Sequence, residues 1–208
     1  MKEYLRYLDA DTEAVIFDLG NVLLGYDWKT YLASFGYDET TAKRIAEAVF
    51  LNEDWERGDK GGITASQWES LFIENAPDLE KEIRRVFCGI DKTIYPMPYT
   101  ERLIRLMKRN GLKLYYLSNY SEHLHQITKQ HMGFLEHFDG GIFSYEVLCI
   151  KPDEKIYQML LEQYSIVPEH TVFFDDRRVN VEAAKKLGLK GIVFDPDMAY
   201  HMLDKKIQ

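Results

Sequence analysis

The chain has 208 residues, of which 46% are hydrophobic and 29% charged, a composition typical of one globular domain or of one core with a smaller insert. Its formal net charge of −8 disfavours nonspecific binding to nucleic acid or to anionic membranes. No apolar stretch approaches the roughly 18 residues needed to span a bilayer, so a soluble protein without a membrane partner is predicted.

The first predicted element is a strand at the start of "AVIFDLGNVLLGYD", residues 14–27. Its apolar run lacks polar alternation, which is typical of a parallel strand covered by helices on both faces. The run ends at Asp18, and Gly20 follows two residues later. Such an aspartate is either a turn or cap residue or a functional carboxylate, and the strand alone leaves both interpretations open.

The next segment, residues 28–95, breaks the strand pattern because it shows helical periodicity and no convincing strand. Helices are predicted over residues 38–50, 64–73 and 79–87, and the second opens with the capping-box pattern "TASQ". The stretch "ERGDKGG" is predicted to be a polar, glycine-rich loop. We therefore predict a helical cap domain, inserted into an α/β core formed by residues 1–27 and 96–208.

Strands and helices alternate through the rest of the chain. The apolar runs "LKLYYLSN", "TVFFDD" and "GIVFD" are predicted strands, and helical patterns occupy residues 97–110, 152–163 and 179–187. This alternation predicts an α/β fold with a doubly wound parallel sheet and right-handed crossovers. The tail, residues 198–208, is predicted to be loosely ordered.

Polar side chains follow three of the predicted strands at the point where each strand ends. Asp18 ends the first, Ser118 and Asn119 end the second, and Asp175 and Asp176 end the third. Ligands of open parallel sheets bind beyond the carboxyl ends of the strands. If the three strands are parallel neighbours, these five residues converge there.

The chemistry of these residues indicates phosphoryl transfer. Three carboxylates in one place repel one another and call for a cation, and oxygen ligands favour Mg²⁺. Ser118, Asn119 and Lys151, the lysine of "CIKPD", are donors suited to phosphate oxygens. One carboxylate can also act as a nucleophile and form an aspartyl-phosphate, so Mg²⁺-assisted phosphoryl transfer is the combined interpretation.

Each motif alone also has a simpler interpretation. Ser118 and Asn119 suit a helix cap, and a lysine before a proline, as at Lys151, is typical of a solvated loop. The side chains of Arg177 and Arg178 could form ion pairs with the two aspartates that precede them.

Aromatic and basic residues in or near the predicted cap are candidates for substrate contact. They are Tyr26, Trp28, Trp55 and Arg57, and Tyr120 is a further candidate beside the Ser118 motif. Core packing is the alternative role for the tryptophans.

The two cysteines, Cys88 and Cys149, lie far apart and follow no metal-ligand pattern. We interpret them as buried free thiols in a reducing compartment. The charged N-terminus has no apolar region typical of a signal peptide, and a cytoplasmic location is predicted.

Four motifs in order resemble those of the haloacid dehalogenase superfamily: "DLGNV", "LSN", "KPD" and "FFDDRRVN". The resemblance spans residues 14–194 and extends to small bacterial sugar-phosphate phosphatases. It implies a Rossmann-like core with an α-helical cap of the subfamily I type. It also implies a Mg²⁺-dependent phosphatase of a small phosphorylated metabolite. We expect a monomer or weak homo-oligomer.

The resemblance assigns roles to the metal-binding residues. Asp18 would be the nucleophile and a metal ligand, and the backbone carbonyl of Gly20 would be a second ligand. Asp176 would be a third ligand, with Asp175 beside it directly or through water.

The resemblance also assigns the phosphate-binding residues. Ser118 and the amide of Asn119 would hold phosphate oxygens, and Lys151 would bridge the nucleophile and the phosphate. Asn180 falls where many relatives have a second acidic residue that supports the loop.

Gly20 departs from the family pattern, since many phosphatases of the superfamily have an aspartate there as general acid and base. Losing such a group typically lowers the rate 10²–10⁴-fold, and less for a good leaving group such as that of an anomeric sugar phosphate. Two alternatives therefore stay open. One is a metal-independent 2-haloacid dehalogenase, against which Asp175 and Asp176 argue; the other is a binding or regulatory protein without turnover.

Overall fold

The structure is a computed structural model that describes residues 7–204. The strands, in chain order, are β1 (Ala14–Phe17), β2 (Leu24–Tyr26), β3 (Ile94–Pro96), β4 (Lys113–Ser118), β5 (Gly140–Phe143), β6 (Thr171–Asp175) and β7 (Lys190–Val193). The helices are α1 (Trp28–Ala33), α2 (Glu39–Val49), α3 (Glu53–Lys60), α4 (Ala65–Asn75), α5 (Glu80–Cys88), α6 (Thr100–Arg109), α7 (Glu122–Thr128), α8 (Ser144–Val147), α9 (Glu154–Gln163), α10 (Arg178–Lys186) and α11 (Pro196–Leu203).

Five parallel strands form the main sheet, in the order β5-β4-β1-β6-β7. The predicted α/β class with a parallel sheet is thus confirmed, and all four predicted strands belong to this sheet. The chain passes from β1 to one side of the sheet through β4 and β5, and later to the other side through β6 and β7. This reversal opens a crevice beyond the carboxyl end of β1, which is where open α/β sheets bind ligands.

Both faces of the sheet are buried, which explains why its strands lack polar alternation. Successive side chains of a strand point to opposite faces, so Val15 and Phe17 of β1 join one hydrophobic cluster while Ala14 and Ile16 join another. The first cluster continues into the helices of residues 28–95. No helix within residues 7–204 is long and apolar enough to cross a membrane.

The helices α1–α5 lie between β2 and β3, in the segment predicted as a cap. The two strands pair antiparallel, with Leu24 opposite Pro96 and Tyr26 opposite Ile94, so the segment leaves and rejoins the core through a short ribbon. The sequence pattern missed this strand of residues 94–96 because three residues are too few for a recognisable alternation. The capping box of Thr64 at the start of α4 is present as predicted.

The prediction of a loop at "ERGDKGG" was wrong, because its first five residues, four charged residues and one glycine, belong to α3. The Asn52 side chain caps this helix by accepting a hydrogen bond from the Asp54 N–H. Gly58 is helical, and a Cβ there would lie 2.2 Å from the Trp68 ring. This glycine therefore marks close packing of α3 on α4. Gly61, with φ +81°, ends the helix.

Two further predictions differ from the structure. The tail is helical through α11, which Asp195 caps and which buries Ala199 and Met202; residues 205–208 lie outside the described residues. Cys149 is a buried free thiol as expected, but Cys88 is exposed because it ends the amphipathic helix α5 on its outer side.

Candidate active site

Asp18 lies directly after β1, at the mouth of the crevice. Its backbone N–H donates to the Phe174 carbonyl of β6 at 2.8 Å, which continues the sheet by one residue. Its Oδ1 accepts a hydrogen bond from the Leu19 N–H at 2.7 Å. With 7% of its surface exposed, Asp18 is a buried strand-end carboxylate, and the helix-cap interpretation does not apply, since no helix begins there.

Lys151 is buried in the same place, with 1% of its surface exposed, so the interpretation as a solvated loop lysine was wrong. Its Nζ lies 2.9 Å from Asp18 Oδ1 and 2.6 Å from Asp175 Oδ2, and it donates to the Leu117 carbonyl at 2.7 Å. The Asn119 side chain holds the Lys151 backbone, accepting from its N–H at 2.8 Å and donating to its carbonyl at 2.9 Å. The strand-end loop of β4 therefore fixes the position of Lys151.

Asp18, Asp175 and Asp176 form an acidic cluster in which carboxylate oxygens lie within 4.8 Å of one another. Asp175 is fully buried, and it accepts hydrogen bonds from the Arg177 N–H at 2.8 Å and from Asn180 Nδ2 at 3.0 Å. No arginine side chain pairs with these aspartates in the described part of the chain, so the ion-pair interpretation fails. The predicted convergence of the strand-end carboxylates is present.

Asp176 is less buried than its neighbour and is held by the loop after β1. Its Oδ2 accepts a hydrogen bond from Asn21 Nδ2 at 3.0 Å. Asn21 has φ +55°, a left-handed conformation that asparagine adopts more readily than most residues. The loop therefore needs a small polar residue at this position both for its backbone and for its contact with Asp176.

The charges of the cluster do not balance without a cation. Burial raises the pKa of Asp18 to about 7. The positive charge of Lys151 lowers this pKa, whereas the negative charges of Asp175 and Asp176 raise it further. Burial also raises the pKa of Asp176. For Lys151, burial disfavours the ammonium ion, but the carboxylates of Asp175 and Asp18 outweigh it and raise the lysine pKa. Three carboxylates and one ammonium therefore leave negative charge that a divalent cation would offset.

The site also contains a polar group that lacks a partner. Ser118 Oγ is buried and makes no hydrogen bond within residues 7–204. A buried hydroxyl without a partner is destabilising by about 1–3 kcal/mol, so this position fits a bound oxyanion. A Cβ built at Gly20 would meet no atom within 4 Å, so this position borders open space. The residues present thus fit Mg²⁺ together with a phosphate group.

A cavity of about 260 Å³ borders the cluster and is lined by core residues and by residues of helix α3. Its lining includes Tyr26 and Trp55, two of the candidates for substrate contact, and Tyr120, which was predicted to line the pocket. Trp28 and Arg57 do not line it: Trp28 stacks on Phe50, and Arg57 pairs with Asp54 on the surface. The full lining is Asp18, Gly20, Asn21, Tyr26, Trp55, Glu56, Asp59, Ile94, Asn119, Tyr120, Leu124, Lys151, Asp176, Arg177 and Asn180.

Comparison with known families agrees with this geometry. The family model described as haloacid dehalogenase-like hydrolase matches residues 12–188, a span that contains every residue of the acidic cluster. The chain belongs to the haloacid dehalogenase-like hydrolases. The predicted family is therefore confirmed, and with it the class of enzyme.

Curated relatives of this haloacid dehalogenase-like hydrolase include phosphatases. A sesquiterpene phosphatase of Aspergillus oryzae is 26% identical over 188 residues, which cover 90% of this chain and 92% of that protein. A phosphorylated carbohydrates phosphatase of Thermotoga maritima is 28% identical, over 86% of this chain and 83% of that protein.

A solved structure shares the fold of the hydrolase. It is a haloacid dehalogenase family enzyme of Bacteroides thetaiotaomicron in complex with magnesium and inorganic phosphate. The TM-score is 0.66, with 23% identity, and the match covers 86% of this chain and 91% of that chain.

Two acidic residues of the cavity were missed by sequence reasoning. Glu56 and Asp59 lie in the stretch that was predicted to be a loop, and the structure places both on α3. With Trp55 they occupy positions i, i+1 and i+4, which lie on one side of a helix. If Gly58 is taken as a packing residue within a helix and not as a loop residue, the predicted helix includes Trp55, Glu56 and Asp59 and places them on one face.

Asp59 is 8% exposed, and burial raises its pKa to about 7, from an ordinary value of 3.8. As pH rises from about 4 to 7 the unfolded chain ionises Asp59 while the folded chain does not, so this residue lowers stability over that window. We expect Asp59→Asn to stabilise the hydrolase at pH 8, by at most about 4 kcal/mol, and to change little at pH 4.

Urea denaturation of both proteins at the two pH values, without divalent cations, measures this difference. Glu53→Gln makes the same chemical change at an exposed position of the same helix and serves as the control, with no pH-dependent gain expected. An equal effect of Asp59→Asn at both pH values would contradict the raised pKa of Asp59.

Proposed function

We propose that this hydrolase is a Mg²⁺-dependent phosphatase of a small phosphorylated metabolite and acts through an aspartyl-phosphate on Asp18. The observation that carries the proposal is the buried contact of Asp18 with Lys151, at 2.9 Å, beside the acidic cluster. A carboxylate held next to an ammonium ion and a cation site is arranged to attack an anion, because both positive groups offset the repulsion between nucleophile and phosphate.

The proposed metal ligands are Asp18, Asp176 and the backbone carbonyl of Gly20. Asp175 would act beside them through water, because both of its carboxylate oxygens already accept hydrogen bonds from Lys151, Arg177 or Asn180. A bound Mg²⁺ would neutralise charge on the phosphate and orient it toward the nucleophile.

The remaining roles belong to side chains and backbone of the hydrolase. The Ser118 hydroxyl and the Asn119 backbone N–H would bind phosphate oxygens, while the Asn119 side chain keeps Lys151 in place. Lys151 would hold Asp18 as a carboxylate and bridge it to the phosphate. Asp18 would then attack phosphorus, and water would hydrolyse the resulting acyl phosphate.

Two classes of leaving group are supported. A sugar phosphate is the first candidate, and the carbohydrate phosphatase from Thermotoga supports it by its name. The apolar lining residues Tyr26, Trp55, Ile94 and Leu124 favour an ester with an apolar alcohol as a second candidate, and the sesquiterpene phosphatase supports that by its name. The proposed setting is cytoplasmic, without nucleic acid or membrane partners and with a monomer or weak homo-oligomer.

A panel of sugar phosphates, isoprenoid phosphates and 2-haloacids tests the proposal, with Mg²⁺ or with a chelator. We expect inorganic phosphate to be released from at least one ester in Mg²⁺ and not after chelation. Halide release that survives chelation would instead support the dehalogenase alternative. Thermal stabilisation by an ester without any phosphate release would support a binding protein.

A further inference from the structure

Departure of an alcohol from a phosphate ester needs a proton, and the cavity holds one carboxyl suited to give it. We propose that Asp59, on helix α3, is the general acid that protonates the leaving group, in the role of the carboxyl group that Gly20 cannot supply. This inference rests on the proposed phosphatase function and names a catalytic residue for it.

The geometry of Asp59 supports the assignment. Asp59 lines the same cavity as Asp18 and Asp176, yet it does not belong to the acidic cluster. It is buried, and the only hydrogen bond that Asp59 makes with the described residues goes to its backbone carbonyl, from Ser144 Oγ. The carboxyl is therefore free to contact a ligand.

Helix α3 is held firmly, so the carboxyl has a defined position. The Tyr120 N–H donates to Ser144 Oγ at 2.9 Å, and the same hydroxyl donates to the Asp59 carbonyl. This chain of hydrogen bonds joins the strand-end loop of β4 to the end of α3. On the other side, Gly58 packs on the Trp68 ring, where a Cβ would collide.

Other proton donors of the cavity are less suited to this role. Burial raises the pKa of the Tyr26 and Tyr120 phenols far above neutrality, and Tyr120 is also hydrogen-bonded to Thr128. Glu56 is exposed. Among the described residues lining the cavity, Asp59 is thus the one buried carboxyl outside the acidic cluster.

The protonation state of Asp59 agrees with a general acid. Burial raises its pKa to about 7, so that a proton is available near neutral pH, where general acids are most effective. The charged and titratable groups that act on it or face it are Glu56 and Asp18, which raise the pKa, Lys151 and Arg177, which lower it, and the phenols of Tyr26 and Tyr120.

The proposed step balances as follows. Asp18 Oδ forms a bond to phosphorus, the bond from phosphorus to the ester oxygen breaks, and its electron pair moves onto that oxygen. The Asp59 carboxyl gives its proton to the same oxygen, which leaves as an alcohol. In the second step the water oxygen forms a bond to phosphorus while the Asp59 carboxylate takes one of its protons. The bond from phosphorus to Asp18 breaks, its electron pair returns to the Asp18 carboxylate, and phosphate is released.

The test compares Asp59→Asn with wild type on two esters in saturating Mg²⁺. One is the best alkyl phosphate of the substrate panel, and the other is p-nitrophenyl phosphate, whose phenolate leaves without a proton. We expect kcat/KM for the alkyl ester to fall by about 10²–10⁴-fold and that for the nitrophenyl ester to change little. Glu53→Gln, on the exposed side of α3, should resemble wild type on both.

The pH profile provides a second readout. The fall of wild-type kcat/KM for the alkyl ester at high pH should be absent in Asp59→Asn, and circular dichroism should show that the variant is folded. Equal losses on both esters would make Asp59 a substrate-binding or structural residue and overturn the inference, as would no loss on either. Wild-type turnover of the nitrophenyl ester alone would also overturn it. No turnover of any ester by wild type would instead refute the phosphatase proposal itself.

Discussion

Asp18→Asn is expected to lower phosphate release by several orders of magnitude, since removal of a catalytic nucleophile has effects of that size. Asparagine has nearly the shape of aspartate, and Lys151 keeps Asp175 as a partner at 2.6 Å, so the variant should remain folded. Its amide nitrogen and neutral oxygen cannot attack phosphorus as the carboxylate does. Phosphate release and acid-quenched mass spectrometry of the peptide that contains Asp18 measure the two consequences, loss of turnover and loss of the acyl phosphate.

Asp176→Asn is the matched control, because it removes a carboxylate from the same cluster without touching the nucleophile. The side chain of Asp176 contacts Asn21 and borders the cavity, and we propose it as a metal ligand. Its loss should raise the Mg²⁺ concentration needed for half-maximal activity, and higher Mg²⁺ should restore turnover. Asp18→Asn should not recover under any Mg²⁺ concentration. Wild-type activity in Asp18→Asn would exclude Asp18 as the nucleophile.

The convergence of the site could be predicted because it depends on local signals and on topology alone. An apolar run that ends on a polar residue marks the end of a buried strand, and parallel pairing brings such ends together. Asp18, Ser118 and the Asp175–Asp176 pair needed no knowledge of long-range packing. Strand β5 was not predicted because its two glycines give little apolar signal. One of them, Gly141, is a packing residue, since a Cβ there would collide with the Tyr116 ring.

The role of a residue that lies outside a strand end was harder to predict. Lys151 does not follow a strand, and its place before a proline suggests a solvated loop. Its burial depends on Asn119, which holds its backbone from 32 residues earlier in the chain. Interactions of this kind leave no periodic pattern, so the chemistry of Lys151 and the order of the motifs indicated a phosphate ligand, but its burial could not be predicted.

Helix α3 could not be predicted from the sequence for a different reason. Three glycines and several charges within "ERGDKGG" are typical of a loop, yet the first glycine lies within a helix, where the Trp68 ring occupies the space that a side chain would need. A tertiary contact therefore overrides the local preference. Because this stretch was predicted to be a loop, Asp59 was not recognised as a residue of the cavity, and the general acid could not be assigned from the sequence.

Lys151 also makes a large contribution to stability that can be measured without any substrate. It lies between two carboxylates in a fully buried position, with Asp18 at 2.9 Å and Asp175 at 2.6 Å. Removing one partner of a buried ion pair leaves charge without compensation and typically lowers stability by 3–5 kcal/mol. We expect Lys151→Met, which keeps the length of the side chain, to show a loss of about this size in urea denaturation without divalent cations.

Lys190→Met is the matched control, because Lys190 also lies between two carboxylates, Asp9 at 3.0 Å and Asp11 at 2.9 Å. Its side chain is 32% exposed, so water screens the pairs and replaces them when the lysine is lost. A loss of at most about 1 kcal/mol is expected. The deficit of Lys151→Met should shrink as pH falls, because protonated carboxyls need no counter-charge. Similar losses of stability in the two variants would show that burial does not strengthen the ion pairs of Lys151. They would also weaken the assignment of Lys151 as the residue that keeps Asp18 ionised for attack.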